Sequence, residues 1–478
     1  MTPPALRSDR QKASTRLLLA VLTSAVFVSV LNSSMVNVAI PLIREDFGAS
    51  EAQVGWVITG FLLLYAIGIP LYGRAADIFS LRRAFALGLV VFALGSLICI
   101  VAPSLPLLVF GRIVQATGGA AIPALASASV VKVLPPGDRG TALGLIVSSV
   151  GVGAAVGPVV GGTLVQLAGW HSLFYGVLFL LLILLPASLY ALPDIEPTGE
   201  RGFDVPGGVL LGLAAGLFLF GITQGQVAGF GSPSSWGSFA GAALAAAGFA
   251  WRITHAENPF VSPGLFRNRG YVAAVIVGYF SMLVNVSCLV SIPLLVSQVN
   301  GLPPGATGLV LAPGAIALAI LSPVAGRLSD RIGFKTPVYA GLTIMLLSVL
   351  FLSTYAAGAS PLVVALGMLG VGVGFAFTNS PNVNAAAAAL PPDEVGVGLG
   401  IFNGLFFLGG GTGPAVVGAF LSARREANAD AIDPFYTLHA APFSDAFLLL
   451  VVALLIALAA SFGLQGGKQA QDREIKEA

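Results

Sequence analysis

Apolar residues come in long runs along this chain, and polar residues are confined to short breaks between them. Fourteen runs stand out, at about 17–41, 54–73, 84–102, 106–131, 139–165, 172–192, 205–224, 236–252, 270–296, 305–326, 336–355, 361–386, 396–421 and 445–464. Each is near the roughly 20 residues that an α-helix needs to cross a hydrocarbon core about 30 Å thick. The pattern predicts fourteen membrane-spanning helices, and an even count puts both termini on one side. The basic residues give the side. Of 23 Lys and Arg, 19 fall in the termini and the even-numbered loops. Arg44, Arg424 and Arg425 fall in odd-numbered loops, and Arg112 alone falls within a span. Positive charge is retained on the cytoplasmic face, so both termini are expected there.

Composition agrees. The 478 residues are 56% hydrophobic and only 9% charged, against roughly 25% charged in soluble domains. This is an integral membrane protein. A net charge of +2 says nothing about partners, and the basic character is local to loops; no nucleic-acid partner is expected. Cys99 and Cys288 both lie in apolar runs and read as small hydrophobes, with no metal-ligand cluster. The basic start (Arg7, Arg10, Lys12, Arg16) precedes a long span without a small-residue cleavage site. The first span is therefore expected to be retained.

A short charged motif occurs twice. Gly73-Arg74-Ala75-Ala76-Asp77 with Arg82-Arg83 returns 253 residues later as Gly326-Arg327-Leu328-Ser329-Asp330-Arg331 with Lys335. A second pair repeats at nearly the same offset. Gly157-Pro158 with Gly161-Gly162 is echoed by Gly413-Pro414 with Gly418, the prolines 256 apart. The expected organisation is a tail at 1–16, a six-helix bundle at 17–192, a linker at 193–204 and an inserted helix pair at 205–252. A second linker at 253–269, a second six-helix bundle at 270–464 and a tail at 465–478 complete it. Duplicated bundles of this kind are a transporter architecture.

The motifs resemble those of the major facilitator superfamily over essentially the whole chain. Gly73 to Arg83 resembles its loop motif, with Ile78 and Ser80 where Arg and Gly are usual. In the second copy Arg331 and Gly333 are in place. Gly111 to Ala120 resembles the helix-4 motif through Arg112, Gln115, Gly118 and Ala120. Gly144, Gly153, Gly157-Pro158 and Gly161-Gly162 match the antiporter motif of drug–proton exporters. Fourteen spans point to the drug:proton antiporter branch. Further stretches are similar to bacterial tetracycline and multidrug efflux antiporters: Val30-Leu31-Asn32, Ala120 to Leu125, Gly202-Phe203-Asp204, Asn258 to Leu265, and Asn403 with Gly411-Thr412-Gly413.

The resemblance implies an all-α fold of two pseudo-symmetric bundles plus an inserted pair, in a bacterial plasma membrane. It implies a monomer that exports a bulky amphipathic drug, with the proton as coupling ion and no other cofactor. Asp77, Arg82, Arg83, Arg112, Asp330, Arg331, Gly157 and Pro158 are expected in coupling and gating. Asp77 can accept hydrogen bonds at a neighbouring helix N-terminus, and the basic residues can pair with carboxylates or lipid phosphates. Asn32, Gln115, Asn285, Asn379, Asn403 and Phe407 are expected to line the substrate path, although buried amides also serve to tie helices together.

One departure stands out. No Asp or Glu lies within an apolar span, Asp445 being at an edge. Ser33, Ala154 and Gly410 stand where the tetracycline exporters carry acids. Proton exchange then has three routes: Asp77 with Arg112 as partner, a titrating group on the substrate, or no coupling at all. The last makes the chain a facilitator or importer of a neutral or zwitterionic molecule.

Overall fold

The computed structural model describes residues 4–194, 204–302, 304–427 and 430–464. The expected linker at 195–203, including Gly202 and Phe203, and the tail from 465 lie outside the described residues. Within them the chain is helical and forms no strand. The first half comprises α1 (Pro4–Asp46), α2 (Glu51–Ile78), α3 (Leu81–Ile100), α4 (Leu105–Gly119), α5 (Ala121–Val133), α6 (Pro136–Ala168) and α7 (His171–Ala191). The inserted pair is α8 (Val205–Ala228) and α9 (Pro233–His255). The second half comprises α10 (Arg269–Gln298), α11 (Pro304–Ile332), α12 (Lys335–Phe351), α13 (Pro361–Ala388), α14 (Val395–Ala427) and α15 (Ala441–Ser461).

Thirteen helical stretches, α4 and α5 counted as one, are long and apolar enough to cross a membrane. The exception is α9, expected as the eighth span. Its serines, Arg252 and His255 dilute its hydropathy, although its 23 residues run beside α8. The expected fourth span is broken at Ala120. Pro123 has no N–H to give the carbonyl of Gly119, and Gly118-Gly119 immediately before Ala120 favour a break.

Several helices outrun their apolar runs. α2 ends at Ile78, α5 at Val133 and α11 at Ile332, so Asp77, Lys132, Asp330 and Arg331 lie on last turns rather than in loops. Hydropathy stops where the hydrocarbon stops, whereas backbone hydrogen bonding continues through the headgroup layer. The two repeated hairpins also turn differently. Gly333 takes φ 83° between α11 and α12, a left-handed conformation that favours glycine. Phe79 and Ser80 turn the first hairpin at φ −112° and −54°, which any residue can adopt. That accounts for Ser80 at the usual glycine.

Caps fix other helix starts. The Ser50 hydroxyl accepts from Gln53 N while the Gln53 side chain accepts from Ser50 N. Asn268 accepts from Gly270 N and Tyr271 N at the start of α10.

Glycine patterning sets which helices meet. On α6, a Cβ at Gly140 or Gly144 would run into α11, and one at Gly153, Gly157 or Gly161 would run into α1. On α14, Gly396, Gly400 and Gly404 face α2, while Gly409 and Gly413 face α10. Each of these helices uses its first half to join the two bundles and its second half to pack within its own bundle. The two glycine series follow the internal repeat. The inserted α8 lies along one seam between the halves. Its glycines receive Leu71, Ile67 and Leu63 of α2, and its Leu219 reaches Gly411 of α14. Asp204 caps α8 at Gly207 N, accepts from Phe260 N and pairs with Arg252, which ties the pair together at its base.

Candidate functional site

The two repeated acids link the halves at one end of the bundle. Asp77, only 1% exposed, accepts from Gly396 N at 2.9 Å and Val397 N at 2.7 Å, the first turn of α14. Lys132 of α5 donates to the same carboxylate at 2.8 Å and to the Ala76 carbonyl. Asp330 mirrors this across the molecule. It accepts from Gly140 N at 2.8 Å, Thr141 N at 2.9 Å and the Thr141 hydroxyl at 2.9 Å, on the first turn of α6. Each carboxylate therefore sits at the positive end of a helix dipole in the opposite half, where N–H groups lack intrahelical partners.

The approach around the acids is backbone to backbone. A Cβ at Gly326 would collide with the Gly140 carbonyl, and one at Gly73 with Gly396 and Gly400. Ser380 of α13 also donates to the Gly140 carbonyl. Glu394, just ahead of α14, accepts from the backbone and hydroxyl of Ser262, so the segment after α9 braces the helix start that Asp77 grips.

Arg82, Arg83 and Arg331 do not join these latches. All three lie near them but form no ion pair or side-chain hydrogen bond among the described residues, and Arg83 and Arg331 are exposed. The cation in the first latch is Lys132. Among the described residues the second latch has no cation and uses the Thr141 hydroxyl.

Arg112 is far from the latches. It is 1% exposed and donates from Nε to the Val57 carbonyl at 3.3 Å and from Nη1 to Gln115 Oε1. Its guanidinium lies 4.0 Å from the centroid of the Phe61 ring. Val57 and Asp77 are separated by about 30 Å along α2 at 1.5 Å per residue. The expected Asp77–Arg112 partnership is therefore excluded by geometry. Among the described residues Arg112 has no carboxylate partner.

The five amides among the expected substrate residues divide into two sets. Asn32 and Gln115 are fully enclosed in the first half. Gln115 Nε2 donates to Asn32 Oδ1 at 3.3 Å and Ser96 Oγ at 2.8 Å, so α1, α3 and α4 are knotted around Arg112. Asn285, Asn379 and Asn403 form no side-chain hydrogen bond to another described residue, and Asn403 Nδ2 is enclosed without a partner. By contrast, Asn382 is tied to the Ala274 carbonyl and Asn384 to Ser329.

Phe407 belongs to an aromatic series that crosses between the halves. Phe61 stacks on Tyr65 at 5.4 Å, and Tyr65 meets Phe407 edge-on at 5.5 Å. Phe407 meets Phe406, which reaches Phe375 and Phe402. Phe61, Lys132, Thr141 and Gly396 were not anticipated from the sequence. Lys132 was the most findable, as a basic residue at the edge of a span.

Gly157 meets Ser34 of α1, so the glycines of the expected antiporter motif let α1 and α6 pack closely. Pro158 is exposed beside them. At the end remote from the latches, Arg424 of α14 pairs with buried Asp445 of α15, and Ile432 N donates to the same carboxylate. Asp445 thus lies inside a helix as the acceptor of a fixed pair.

The sequence model of the Major Facilitator Superfamily matches residues 22–414. The chain belongs to the major facilitator superfamily. This superfamily member is 31% identical over 412 residues to the multidrug resistance protein Stp of Mycobacterium tuberculosis, covering 86% of this chain and 76% of that one. It is 29% identical to the tetracenomycin C resistance and export protein of Streptomyces glaucescens, over 85% of this chain and 76% of that one. Among solved structures, the proton:xylose symporter XylE superposes with a TM-score of 0.67 at 16% identity, covering 95% and 97% of the two chains. That likeness concerns the fold. A multi-pass transporter of this superfamily is the coarse identity these findings give.

Proposed function

We propose that this transporter exports bulky amphipathic drugs across a bacterial plasma membrane by alternating access, in exchange for protons, as a monomer with both termini cytoplasmic. The observation that carries the reading is the pair of reciprocal acid latches. Both grip helix starts of the opposite half at the end that carries the basic loops, so the latched protein is closed towards the cytoplasm. Ionised carboxylates are required to accept four backbone N–H groups, and neutralising them weakens the closed state. Opening both latches frees α6 from α11 and α2 from α14, which gives substrate a path from the cytoplasmic side. Closing them returns the molecule to the state described here.

The free amides Asn285, Asn379 and Asn403 and the aromatic series through Phe407 supply hydrogen bonds and flat apolar surface for a bulky ligand. Export rather than uptake is favoured by the resistance relatives and by the antiporter motif on α6. The lack of a carboxylate partner for Arg112 favours a second reading, a proton-independent facilitator.

Proteoliposomes loaded with a pH-sensitive dye separate the two. Tetracycline, with and without divalent metal, and a panel of neutral, zwitterionic and cationic drugs are added in turn. Exchange predicts a drug-dependent pH change that Arg112→Ala removes. Drug movement with no pH change selects the facilitator, and no movement of any drug refutes the export reading.

A further inference from the structure

We infer that the Arg112 cluster recognises an oxyanion on the substrate, so that the preferred drugs are amphipathic organic anions or zwitterions rather than lipophilic cations. The inference rests on the export reading and deepens it. Donor and acceptor inventories carry it. Arg112 can only donate, so it must face Gln115 Oε1. Gln115 then presents Nε2 to Asn32, which must answer with Oδ1. This leaves Asn32 Nδ2 as the free end, and that atom is buried without a partner. The guanidinium uses only Nε and one Nη1 donor among its five N–H groups. The cluster has therefore spent its side-chain acceptors and kept its donors. A cation with unfilled donors and no carboxylate among the described residues lacks a counter-charge. A carboxylate, enolate or phenolate supplies one. A cationic drug finds nothing there to pair with.

The face of the guanidinium is occupied by Phe61. Phe61 is stacked on Tyr65, whose edge contact is Phe407 of the opposite half. While the halves are latched, this series holds the ring over Arg112. When they part, Tyr65 loses Phe407 and the ring is free to leave. An oxyanion and the Phe61 ring then exchange places on one cation, and re-latching returns the ring and displaces the anion.

The test uses two xanthene dyes of similar shape and opposite charge, fluorescein and rhodamine 123, bound at pH 8 to the full chain in nanodiscs. Fluorescein is expected to bind about tenfold more tightly or better. Arg112→Gln should abolish that preference and Arg112→Lys should retain part of it. Phe61→Leu removes the competing ring and should strengthen fluorescein binding, a gain that misfolding cannot mimic. Equal or tighter binding of rhodamine 123, binding of neither dye, or a preference that survives Arg112→Gln overturns the inference. Proteoliposome export of the same dyes is scored separately. Export of rhodamine 123 alone would sink the anion site and leave the export reading standing.

Discussion

Asp77→Asn isolates the first latch. The substitution keeps the volume, removes the charge and places an amide N–H₂ among donors: Gly396 N, Val397 N and Lys132. The side chains of Asp77 and Lys132 are 1% and 12% exposed, so solvent screens the pair little. Breaking a buried charge pair by removing one partner costs about 3–5 kcal/mol. Hydrogen bonds to charged groups contribute about 1.5–3 kcal/mol each, which brings the two backbone bonds alone into the same range. A loss of about 3 kcal/mol shifts the ratio of latched to unlatched protein by about a hundredfold.

Spin labels on Arg83→Cys and Asp393→Cys would read that ratio by double electron–electron resonance. Both positions are exposed, one in each half beside the latch, and native Cys99 and Cys288 are buried. The parent should give one short distance. Asp77→Asn should add a longer population and abolish drug transport while the protein remains in the membrane. An unchanged distance distribution would refute the latch, and full transport would refute its role in the cycle.

Asp330→Asn should act in the same direction but more weakly, by about 1–2 kcal/mol, because that acid is half-buried and its partners are neutral; the same labels would show a smaller long-distance population. Gly326→Val should open the molecule through sterics alone, since its side chain would replace the contact with Gly140, and an unaltered distance would contradict the backbone-to-backbone approach. Gly157→Leu should lower thermal stability in detergent by about 1–3 kcal/mol as α1 is forced away from α6 at Ser34, whereas Pro158→Leu at its exposed neighbour should change it by less than about 0.5 kcal/mol. Arg424→Ala leaves Asp445 buried and uncompensated, and should destabilise the fold by about 3–5 kcal/mol without moving the labels at the latch.

Spans, repeat and inserted pair were legible because hydrophobic run length and motif offset are local quantities. What the repeated acids touch was not local. Asp77 meets Gly396 and Asp330 meets Gly140 across hundreds of residues, and no periodicity connects an acid to a distant helix start. Arg82 and Arg83 are near Asp77 in sequence, yet Lys132 is its partner, because α5 packs against α2 and carries Lys132 to the carboxylate. Asn32 and Asn285 look equivalent as amides on the first helix of each half. One is knotted to Gln115 and the other is free. That difference depends on helix rotation, which a uniformly apolar span does not record. The break at Ala120 was readable from Gly118-Gly119 and Pro123, but a continuous apolar run hid it.

The glycine contacts at the latch also bear on how the proposed opening would proceed. Dispersion forces between touching backbones fade within about an ångström of separation, and a carboxylate cannot keep two N–H bonds at intermediate distances. Between Gly326 and Gly140, or Gly73 and Gly396, there is no long side chain to stretch and follow the parting surfaces. In the proposed cycle such a closure is a snap fastener rather than a spring: it would be shut or off, and half-open geometries would have little to hold them.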